Sequence, residues 1–380
     1  MLKNIICKGM QMKCKFCGVS EEKYFYKGVC RNCLTLSQDV AKIEGKRRQI
    51  KLNLPFELTI FQANLIKELG TAVKQDVFIE AVCGAGKTEM VLPLLVAMLN
   101  QGKRCAWAIP RREIVIELSD RLKAYFPELQ VVKVCQGFTQ CVTGDLVVCT
   151  CHQLYRYRHQ FDLLILDEPD AFPYRDNKML EHFVLKSLSE TGHIVYLSAT
   201  VDEAMKKKIK NKEVKHLTLP IRPSLKLLPV PVWRLSLIDN LLFCIDLYRN
   251  RHTKAIIYVP TKRQARLLAR CLMCPFITSQ SEDKEAILDS FRNKLKGFLI
   301  STTLLERGVT FEGINCYVLQ ADQRVFTHAT LVQIAGRVGR GTQNTKGSCY
   351  FYSKEKNLEI VRCIENINAH NQCACSVLEV

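Results

Sequence analysis

The sequence lacks any apolar run that approaches the roughly 20 residues needed to cross a bilayer. Its longest candidate, MVLPLLVAML (90–99), is too short and contains a proline. The first residues, MLKNIICKGMQMKC, also lack the apolar core and the small-residue cleavage site of a signal peptide. We therefore expect a cytoplasmic protein that is not an integral membrane protein.

Acidic residues are too few to balance the basic ones. The 37 Asp and Glu stand against 55 Lys and Arg, so the formal net charge is +18. This excess favours a polyanionic partner, with nucleic acid first and a membrane surface second. The basic run KKKIKNKEVK (206–215) fits either a solvated helix face or a phosphate contact.

Cysteine is plentiful, and its distribution along the sequence indicates two different roles. The chain has 19 cysteines, an odd number, and most are scattered through apolar stretches, which indicates reduced thiols in a cytosol. Cys14/Cys17 and Cys30/Cys33 instead form two Cys-x₂-Cys pairs separated by 12 residues. Four thiolates at this spacing suit one tetrahedral structural Zn²⁺. A redox role is the alternative, although a single Cys-x₂-Cys pair would suffice for it.

Short apolar runs alternate with longer helical patterns from residue 55 to 220, and the alternation restarts at residue 254. This pattern predicts parallel sheets covered by helices. Four prolines between residues 220 and 231 disfavour regular structure and indicate a linker. The chain therefore contains two sheet domains of similar size behind a small cysteine-bearing module.

The segment EAVCGAGKTEM (80–90) follows one apolar run and precedes a helical pattern. Gly84 and Gly86 allow a tight loop whose backbone N–H groups point at phosphate oxygens. Lys87 can reach the β- and γ-phosphates, and the Thr88 hydroxyl can ligate Mg²⁺ at a helix N-terminus. The order of strand, loop and helix predicts a P-loop. Its predicted nucleotide contacts are Cys83, Gly84, Ala85, Gly86, Lys87, Thr88 and Glu89.

The segment LLILDEPDAFPY (163–174) carries an apolar run directly into two acids. A run without alternation suits a strand buried on both faces, so Asp167 and Glu168 stand at its carboxyl end, where α/β sheets bind ligands. A strand that simply ends in a polar turn is the alternative. The presence of a P-loop favours the functional interpretation, in which Asp167 holds Mg²⁺ and Glu168 orients or deprotonates the attacking water.

With these motifs in this order, the chain resembles the superfamily 2 helicases over nearly all of residues 55–345. In that family Ala81 commonly replaces the glycine of the strict P-loop pattern. The resemblance implies that Gln62 reads adenine and favours ATP, and that the SAT triplet (198–200) links the ATP site to the nucleic-acid track. Its motifs Ia, Ib, IV and V (301–311) imply nucleic-acid contacts from Arg112, Thr150, Thr261 and Thr302.

The segment QIAGRVGR (333–340) resembles motif VI. Phosphoryl transfer needs positive charge against its transition state, and an arginine finger contributes on the order of 10³–10⁵ in rate. The resemblance implies a catalytic set that closes when both domains meet on ATP. A basic turn is the alternative for GRVGR taken alone, but it does not account for the P-loop and the acids. The predicted catalytic residues are Lys87, Thr88, Asp167, Glu168, Gln333, Arg337 and Arg340.

A narrower resemblance covers the four-cysteine module, AVCGAGKTE, CHQLYRY, the DExD box continued by AFPY, and TTLLERGVTF. Together they resemble the ComFA late-competence ATPase family, with Pro169 where that family often has valine. The resemblance implies an ATP-dependent single-stranded DNA translocase in DNA uptake during natural transformation. It also implies a ComFC-type competence protein and the membrane DNA-uptake channel as partners, at the inner face of the membrane. The alternatives are a superfamily 2 helicase of replication restart or RNA remodelling, and a non-translocating ATP-switched DNA-binding adaptor.

The predicted fold is α/β, with two tandem RecA-like parallel-sheet domains and a small N-terminal zinc-binding module. The predicted boundaries are 1–50 for the zinc module, 51–222 for the first RecA-like domain and 223–380 for the second. The expected cofactors are ATP, Mg²⁺ and one structural Zn²⁺. Residues 354–380 match no motif.

Overall fold

The structure is a computed structural model that describes residues 13–37, 39–54, 56–72, 74–236, 241–302, 311–340 and 347–378. The chain divides into two compact units. The first consists of Met1–Ile79 and Thr88–Leu217, and the second of Glu80–Lys87 and Thr218–Val380. The second unit therefore includes the P-loop segment. The predicted domain boundaries at 50/51 and 222/223 stay predictions.

The cysteine module forms a small hairpin at the start of the first unit. A 3-10 helix (Glu22–Tyr24) leads into β1 (Phe25–Tyr26), which pairs antiparallel with β2 (Val29–Cys30). Lys27 and Gly28 join the strands with φ values of 46° and 82°, the left-handed conformation of a type I′ turn. The tight turn fixes where Cys30 stands relative to the preceding strand.

The first parallel sheet is built from short apolar runs buried on both faces, as the sequence predicts. Its strands are β3 (Asp76–Ala81), β4 (Cys105–Ile109), β5 (Val131–Val134), β6 (Leu146–Thr150), β7 (Phe161–Asp167), β8 (Leu188–Ser198) and β9 (Val214–Leu219). They lie in the order β5-β6-β4-β7-β8-β3-β9. The four pairs from β5 to β8 are parallel, so these five strands end at one edge of the sheet.

One helix precedes the first strand of this sheet, the other helices follow strands, and two of them begin at a side chain that caps the helix. The helices are α1 (Ile60–Thr71), α2 (Lys87–Asn100), α3 (Arg112–Tyr125), α4 (Lys178–Ser187) and α5 (Glu203–Lys210), with a 3-10 helix at Cys151–Arg156. The side chains of Asn177 and Asp202 accept backbone N–H groups at the starts of α4 and α5. Such caps satisfy donors that the first helical turn leaves without a helical partner.

The second sheet is parallel in every one of its pairs. Its strands are β10 (Val232–Leu235), β11 (Lys254–Tyr258), β12 (Phe276–Ile277), β13 (Gly297–Ser301), β14 (Ile314–Leu319) and β15 (Cys349–Ser353), in the order β10-β15-β14-β11-β13-β12. The accompanying helices are α6 (Leu241–Arg249), α7 (Lys262–Leu272), α8 (Lys284–Asn293), α9 (His328–Ala335) and α10 (Leu358–Leu378). The prediction of two parallel-sheet domains is confirmed.

Several elements were not predicted from the sequence. Strands β5 and β9 lie outside the apolar runs that predict strands in this part of the sequence, which are VFIEAV (77–82), RCAWAI (104–109), DLVVCT (145–150), FDLLILD (161–167) and HIVYLSAT (193–200). Strand β10 begins directly after the four prolines assigned to a linker. Residues that match no motif form α10, which packs on α9. The His370 Nε2 atom of α10 lies 3.2 Å from Glu80 Oε1 of β3, within the second unit. The unassigned C-terminal segment is therefore part of the folded second unit.

Candidate functional site

The P-loop has the backbone conformation that its glycines predict. Gly84 and Gly86 have φ values of 86° and 81°, which a residue with a Cβ rarely adopts. The Ala85 N–H donates to Val82 O at 3.0 Å, closing a turn directly before α2. Lys87 is the first residue of that helix. A glycine loop that opens a helix presents backbone N–H groups to an anion.

The residues around the loop differ in exposure in a way that fits this geometry. Ala81 is fully buried at the end of β3, and Cys83 and Ala85 are also buried. Gly84 is exposed, and Lys87 is partly exposed. The loop therefore turns its glycine backbone, rather than its apolar side chains, toward solvent.

Thr88 and Glu89 follow in the first turn of α2 and contact Arg121 of α3, inside the first unit. The Arg121 Nη2 atom donates to Thr88 Oγ1 at 3.2 Å, and its Nη1 atom lies 3.7 Å from Glu89 Oε1. The sequence did not single out Arg121, because no local pattern connects it to residues 33 positions earlier.

The two acids stand at the end of β7, as predicted, and both are partly exposed. Asp167 is the last residue of the strand, and Glu168 has a φ of 56°, in the left-handed region. The Glu168 N–H donates to Leu197 O at 2.9 Å, and its own carbonyl accepts from Ala171 N–H at 3.0 Å. These two backbone hydrogen bonds hold the unusual turn in place.

Asp170 connects the acidic turn to the SAT triplet. Its Oδ2 atom accepts a hydrogen bond from Thr200 Oγ1 at 3.1 Å, and both residues are buried. The Thr200 N–H also donates to Ser198 Oγ at 3.1 Å. Asp170 was not assigned a role from the sequence, although its place as the fourth residue of DEPD was the available signal.

Gln62 is buried at the start of α1, where it takes part in a capping box with Thr59. Its Oε1 atom accepts from the Thr59 N–H at 2.9 Å, and its N–H donates to Thr59 Oγ1 at 3.3 Å. The cap holds the Gln62 side chain in one orientation. Its predicted contact with adenine stays a prediction.

Motif VI runs from the end of α9 into the next turn, and it lies in the second unit with the P-loop. Gln333 and Arg337 are buried. The Cys83 Sγ atom donates to Gln333 Oε1 at 3.2 Å. Arg340 Nε donates to Gly336 O at 2.8 Å. The predicted P-loop and the predicted arginine segment are therefore in direct contact.

The predicted nucleic-acid residues of the first unit share one sheet edge. Arg112 begins α3 after β4, and Thr150 ends β6, so both stand at the carboxyl edge that carries Asp167. Thr150 is 7% exposed, which leaves its hydroxyl little access to solvent. The strand order places these positions on neighbouring strands, β6, β4 and β7.

Arg112 is held at this edge by the loop that follows β5. Its Nε atom donates to Gln136 O at 2.8 Å, and its guanidinium carbon lies 5.8 Å from the centre of the Phe138 ring. Lys133 Nζ lies 4.7 Å from the same ring. Two cations thus surround an exposed aromatic ring, a combination suited to nucleic acid.

The predicted contacts of the second unit are described in part. Thr261 is exposed and caps α7, where its Oγ1 accepts from Gln264 N–H at 3.2 Å. Thr302 follows β13, and its carbonyl accepts from Ser301 Oγ at 2.8 Å. Residues 303–310 of predicted motif V lie outside the described residues.

The four cysteines predicted to bind zinc come together in the first unit. The Sγ atoms of Cys14 and Cys33 are 3.7 Å apart, those of Cys17 and Cys30 are 3.6 Å apart, and all four lie within 4.8 Å of one another. A tetrahedral Zn²⁺ with bonds of about 2.3 Å requires sulfur separations of about 3.8 Å. The donors and their spacing fit a closed four-thiolate zinc site.

The first cysteine pair sits in a turn shaped for metal binding. Gly18 has a φ of 73°, and its N–H donates to Cys14 O at 2.8 Å. Burial acts to raise the pKa of Cys14, but the backbone N–H groups of Cys17 and Phe16 bring that pKa below its usual value. Burial raises the pKa of Cys17 to about 12. A bound cation would favour the thiolate form of Cys17.

Comparisons with known proteins agree with this arrangement. A family model for the DEAD/DEAH box helicase matches residues 59–208, and one for the helicase conserved C-terminal domain matches residues 234–342. Competence protein ComFA of Bacillus subtilis is 31% identical over 96% of this chain and 87% of its own length. Competence protein ComFA of Streptococcus pneumoniae is 33% identical over 94% of this chain and 90% of its own length.

A solved structure adds the fold. The structure of S. cerevisiae Dbp5 bound to RNA and ADP BeF3 matches with a TM-score of 0.58 at 16% identity. The match covers 82% of this chain and 91% of the Dbp5 chain. The two sheets are therefore RecA-like domains of the helicase type. None of the helices in the described part of the chain is long and apolar enough to cross a membrane.

Proposed function

The chain belongs to the ComFA family of competence proteins and is an ATPase of helicase superfamily 2, and we propose that it moves along single-stranded DNA during DNA uptake in natural transformation. The observation that carries the proposal is the strand order of the first sheet. This order puts the acids at the end of β7 on the same sheet edge as Arg112, which follows β4, and Thr150, which ends β6. ATP chemistry and a polyanion track on neighbouring strands suit a nucleic-acid-dependent ATPase.

The P-loop is the proposed phosphate site. Backbone N–H groups from Cys83 to Thr88 cradle the β- and γ-phosphates, and Lys87 places its ammonium group against them. The left-handed Gly84 and Gly86 support this role, because a Cβ at either position would strain the loop. Gln62 at the start of α1 is the proposed contact for adenine.

The acids provide the proposed hydrolytic chemistry. The Thr88 hydroxyl and the Asp167 carboxylate are the oxygen donors that would hold Mg²⁺, which when bound neutralises charge on the phosphate oxygens. Glu168 orients and deprotonates the attacking water. The hydrogen bond between Asp170 and Thr200 supports a link from this turn to the SAT triplet.

Motif VI supplies the positive charge of the proposed transition-state site. Arg337 and Arg340 offset the charge that develops on the transferred phosphoryl group, and Gln333 helps to position that group. The contact between Cys83 and Gln333 supports this assignment, because it ties the arginine segment to the P-loop.

The proposed DNA track contacts the phosphate backbone rather than the bases. Arg112 provides a cation, and backbone amides and hydroxyls at Thr150, Thr261 and Thr302 add orientation without sequence preference. The net charge of +18 supports binding to a polyanion. No base-specific contact is part of the proposal.

The four cysteines are proposed to hold one structural zinc ion that stabilises the N-terminal module. We further propose a cytoplasmic location at the inner face of the membrane. The partners there would be a ComFC-type competence protein and the membrane DNA-uptake channel, and family membership supports both.

ATPase assays with different nucleic acids test the function. At low salt, unstructured single-stranded DNA of any sequence should stimulate hydrolysis strongly, and blunt duplex DNA should stimulate it less. The Lys87→Ala variant should be inactive with every nucleic acid, which confirms that the measured turnover comes from this P-loop.

Two outcomes would overturn the proposal. Stimulation by structured RNA but not by single-stranded DNA would favour the RNA-remodelling alternative. Tight ATP-dependent DNA binding without displacement of a protein block bound to the same DNA strand would favour the ATP-switched adaptor.

A further inference from the structure

Arg222 is a buried arginine in the proline-rich segment between β9 and β10, 4% exposed. It belongs to none of the motifs found in the sequence. A buried guanidinium needs several acceptors, because its planar fork carries five N–H donors and stays charged at neutral pH. The acceptors of Arg222 are therefore informative.

Three backbone carbonyls surround this guanidinium. Nε donates to Cys83 O in the P-loop at 2.9 Å. Nη1 donates to Val338 O and Nη2 donates to Gly336 O, each at 2.8 Å. One side chain therefore joins the P-loop to the backbone of motif VI, and all four residues belong to the second unit.

The surroundings of Gly84 show how closely these segments approach. A methyl group added to Gly84 would lie 3.6 Å from Nε of Arg222 and 3.6 Å from Nε of Arg340. A methyl group added to Gly336 would lie 2.3 Å from Cys83 Cβ. Arg340 also donates to Gly336 O, the carbonyl that Arg222 uses. The position of Arg340 thus depends on a carbonyl that Arg222 holds.

Arg222 remains a cation despite this setting. Burial, and next to it the positive charge of Arg340, lowers the pKa of Arg222 to about 10. The group is still protonated at neutral pH, so its hydrogen bonds to carbonyls are charge-assisted. A lysine keeps the charge but cannot reach three carbonyls in one plane.

We propose that Arg222 is a positioning residue for ATP hydrolysis, which fixes the P-loop and the segment Gly336–Arg340 against each other. It thereby sets where the Arg337 and Arg340 guanidinium groups stand relative to the phosphates. The inference rests on the proposed roles of the P-loop and of motif VI. Arg222 acts through these residues, since its own Nε, Nη1 and Nη2 atoms are all bound to carbonyls.

The test is steady-state ATP hydrolysis by the full chain carrying Arg222→Lys, with Arg222→Gln as a second variant. The expected result is a kcat lowered about ten- to hundredfold, because a small misplacement of charged groups costs that much in rate. The KM for ATP should stay within about twofold, since Gly84, Gly86 and Lys87 keep the phosphate cradle.

Arg104→Lys is the matched control. Arg104 is a partly buried arginine, and its guanidinium is bound to Asp162 at 2.9 Å and 3.1 Å within the first unit, at the amino ends of β4 and β7. Its replacement should lower the melting temperature and leave kcat unchanged. The comparison separates the loss of an arginine's hydrogen bonds in general from the loss of positioning at the P-loop and motif VI.

A double-mutant cycle provides the decisive readout. If Arg222 acts through motif VI, adding Arg222→Lys to Arg340→Ala should lower kcat by less than about threefold further. Full additivity would overturn the proposal, as would a raised KM at normal kcat. An Arg222→Lys chain that fails to fold would also overturn it in favour of a purely structural role.

The same assays separate this inference from the proposed function. If the Lys87→Ala variant hydrolyses ATP as fast as the wild type, the proposed ATP site is wrong altogether. Hydrolysis that needs Lys87 but ignores single-stranded DNA would overturn the DNA track and leave the Arg222 result valid.

Discussion

At the scale of one residue, the proposed base Glu168 stands in an unusual backbone conformation. A left-handed φ of 56° is uncommon outside glycine and costs on the order of 1 kcal/mol. The hydrogen bonds to Leu197 and Ala171 hold the turn against that cost. The left-handed residue ends the strand directly after Asp167, so Glu168 stands in the turn that follows β7.

The variant Glu168→Gln tests the proposed base directly. It should lower the turnover of ATP at least about a hundredfold, because an amide cannot accept the proton. ATP binding should be retained, because the P-loop and Asp167 are unchanged. Fluorescent-nucleotide binding and phosphate release measure the two effects. The Lys87→Ala variant should instead lose both, and turnover by Glu168→Gln within a few fold of wild type would contradict the assignment.

At the scale of elements, the cysteine module packs on the first sheet domain rather than standing apart. Phe16 lies between the two cysteines of the first pair, and its ring is 6.2 Å from that of Tyr155 and 6.0 Å from that of Phe183. Cys14, Phe16 and Cys17 belong to the same buried cluster as these rings. Aromatic contacts of this kind add to the burial of apolar area.

Zinc removal should therefore affect the first unit as a whole. Cys14→Ser and Cys33→Ser should each lower the zinc content from one ion per chain to none and lower the melting temperature. Atomic emission and thermal unfolding measure these changes. Cys141→Ser is the control, because Cys141 is an exposed free thiol of the same unit. Wild-type protein purified without chelator and free of zinc would contradict the prediction.

At the scale of the whole molecule, the net charge of +18 suits the proposed DNA track, which contacts phosphates rather than bases. Each phosphate contact releases condensed counterions, so the affinity for single-stranded DNA should fall as salt rises. The slope of log K against log salt is about −0.7 per neutralised phosphate. Exposed basic residues elsewhere on the surface should add little to this slope beyond a Debye length.

Arg112→Ala should make this slope shallower by about 0.7 and weaken stimulation for all DNA sequences alike. Basal hydrolysis should stay nearly unchanged, because Arg112 is outside the proposed phosphate site. Lys207→Ala is the control, since Lys207 is an exposed lysine of the basic run on α5. Binding titrations at several salt concentrations measure both. An unchanged slope in Arg112→Ala would show that Arg112 does not contact the DNA. A shallower slope in Lys207→Ala would show that the basic run contacts phosphate.

The sequence by itself determined what depends on neighbouring residues. Apolar runs without alternation predicted the buried parallel strands, and the run LLILD forms the second part of β7 and ends with it at Asp167. The P-loop, the acid pair and the two cysteine pairs were also predicted. Each is a short segment whose conformation follows from its own glycines, its own strand or its own spacing.

The tertiary structure alone decided which distant segments meet. Strand order put Arg112 beside the strand of Asp167, packing of Phe16 joined the cysteine module to the first unit, and folding brought Arg222 against Cys83 and motif VI. Arg222 follows Cys83 by 139 positions and precedes Val338 by 116. No local periodicity encodes such a contact, because the acceptors of a buried guanidinium are backbone carbonyls that any residue provides. Only the simultaneous packing of the whole unit selects them.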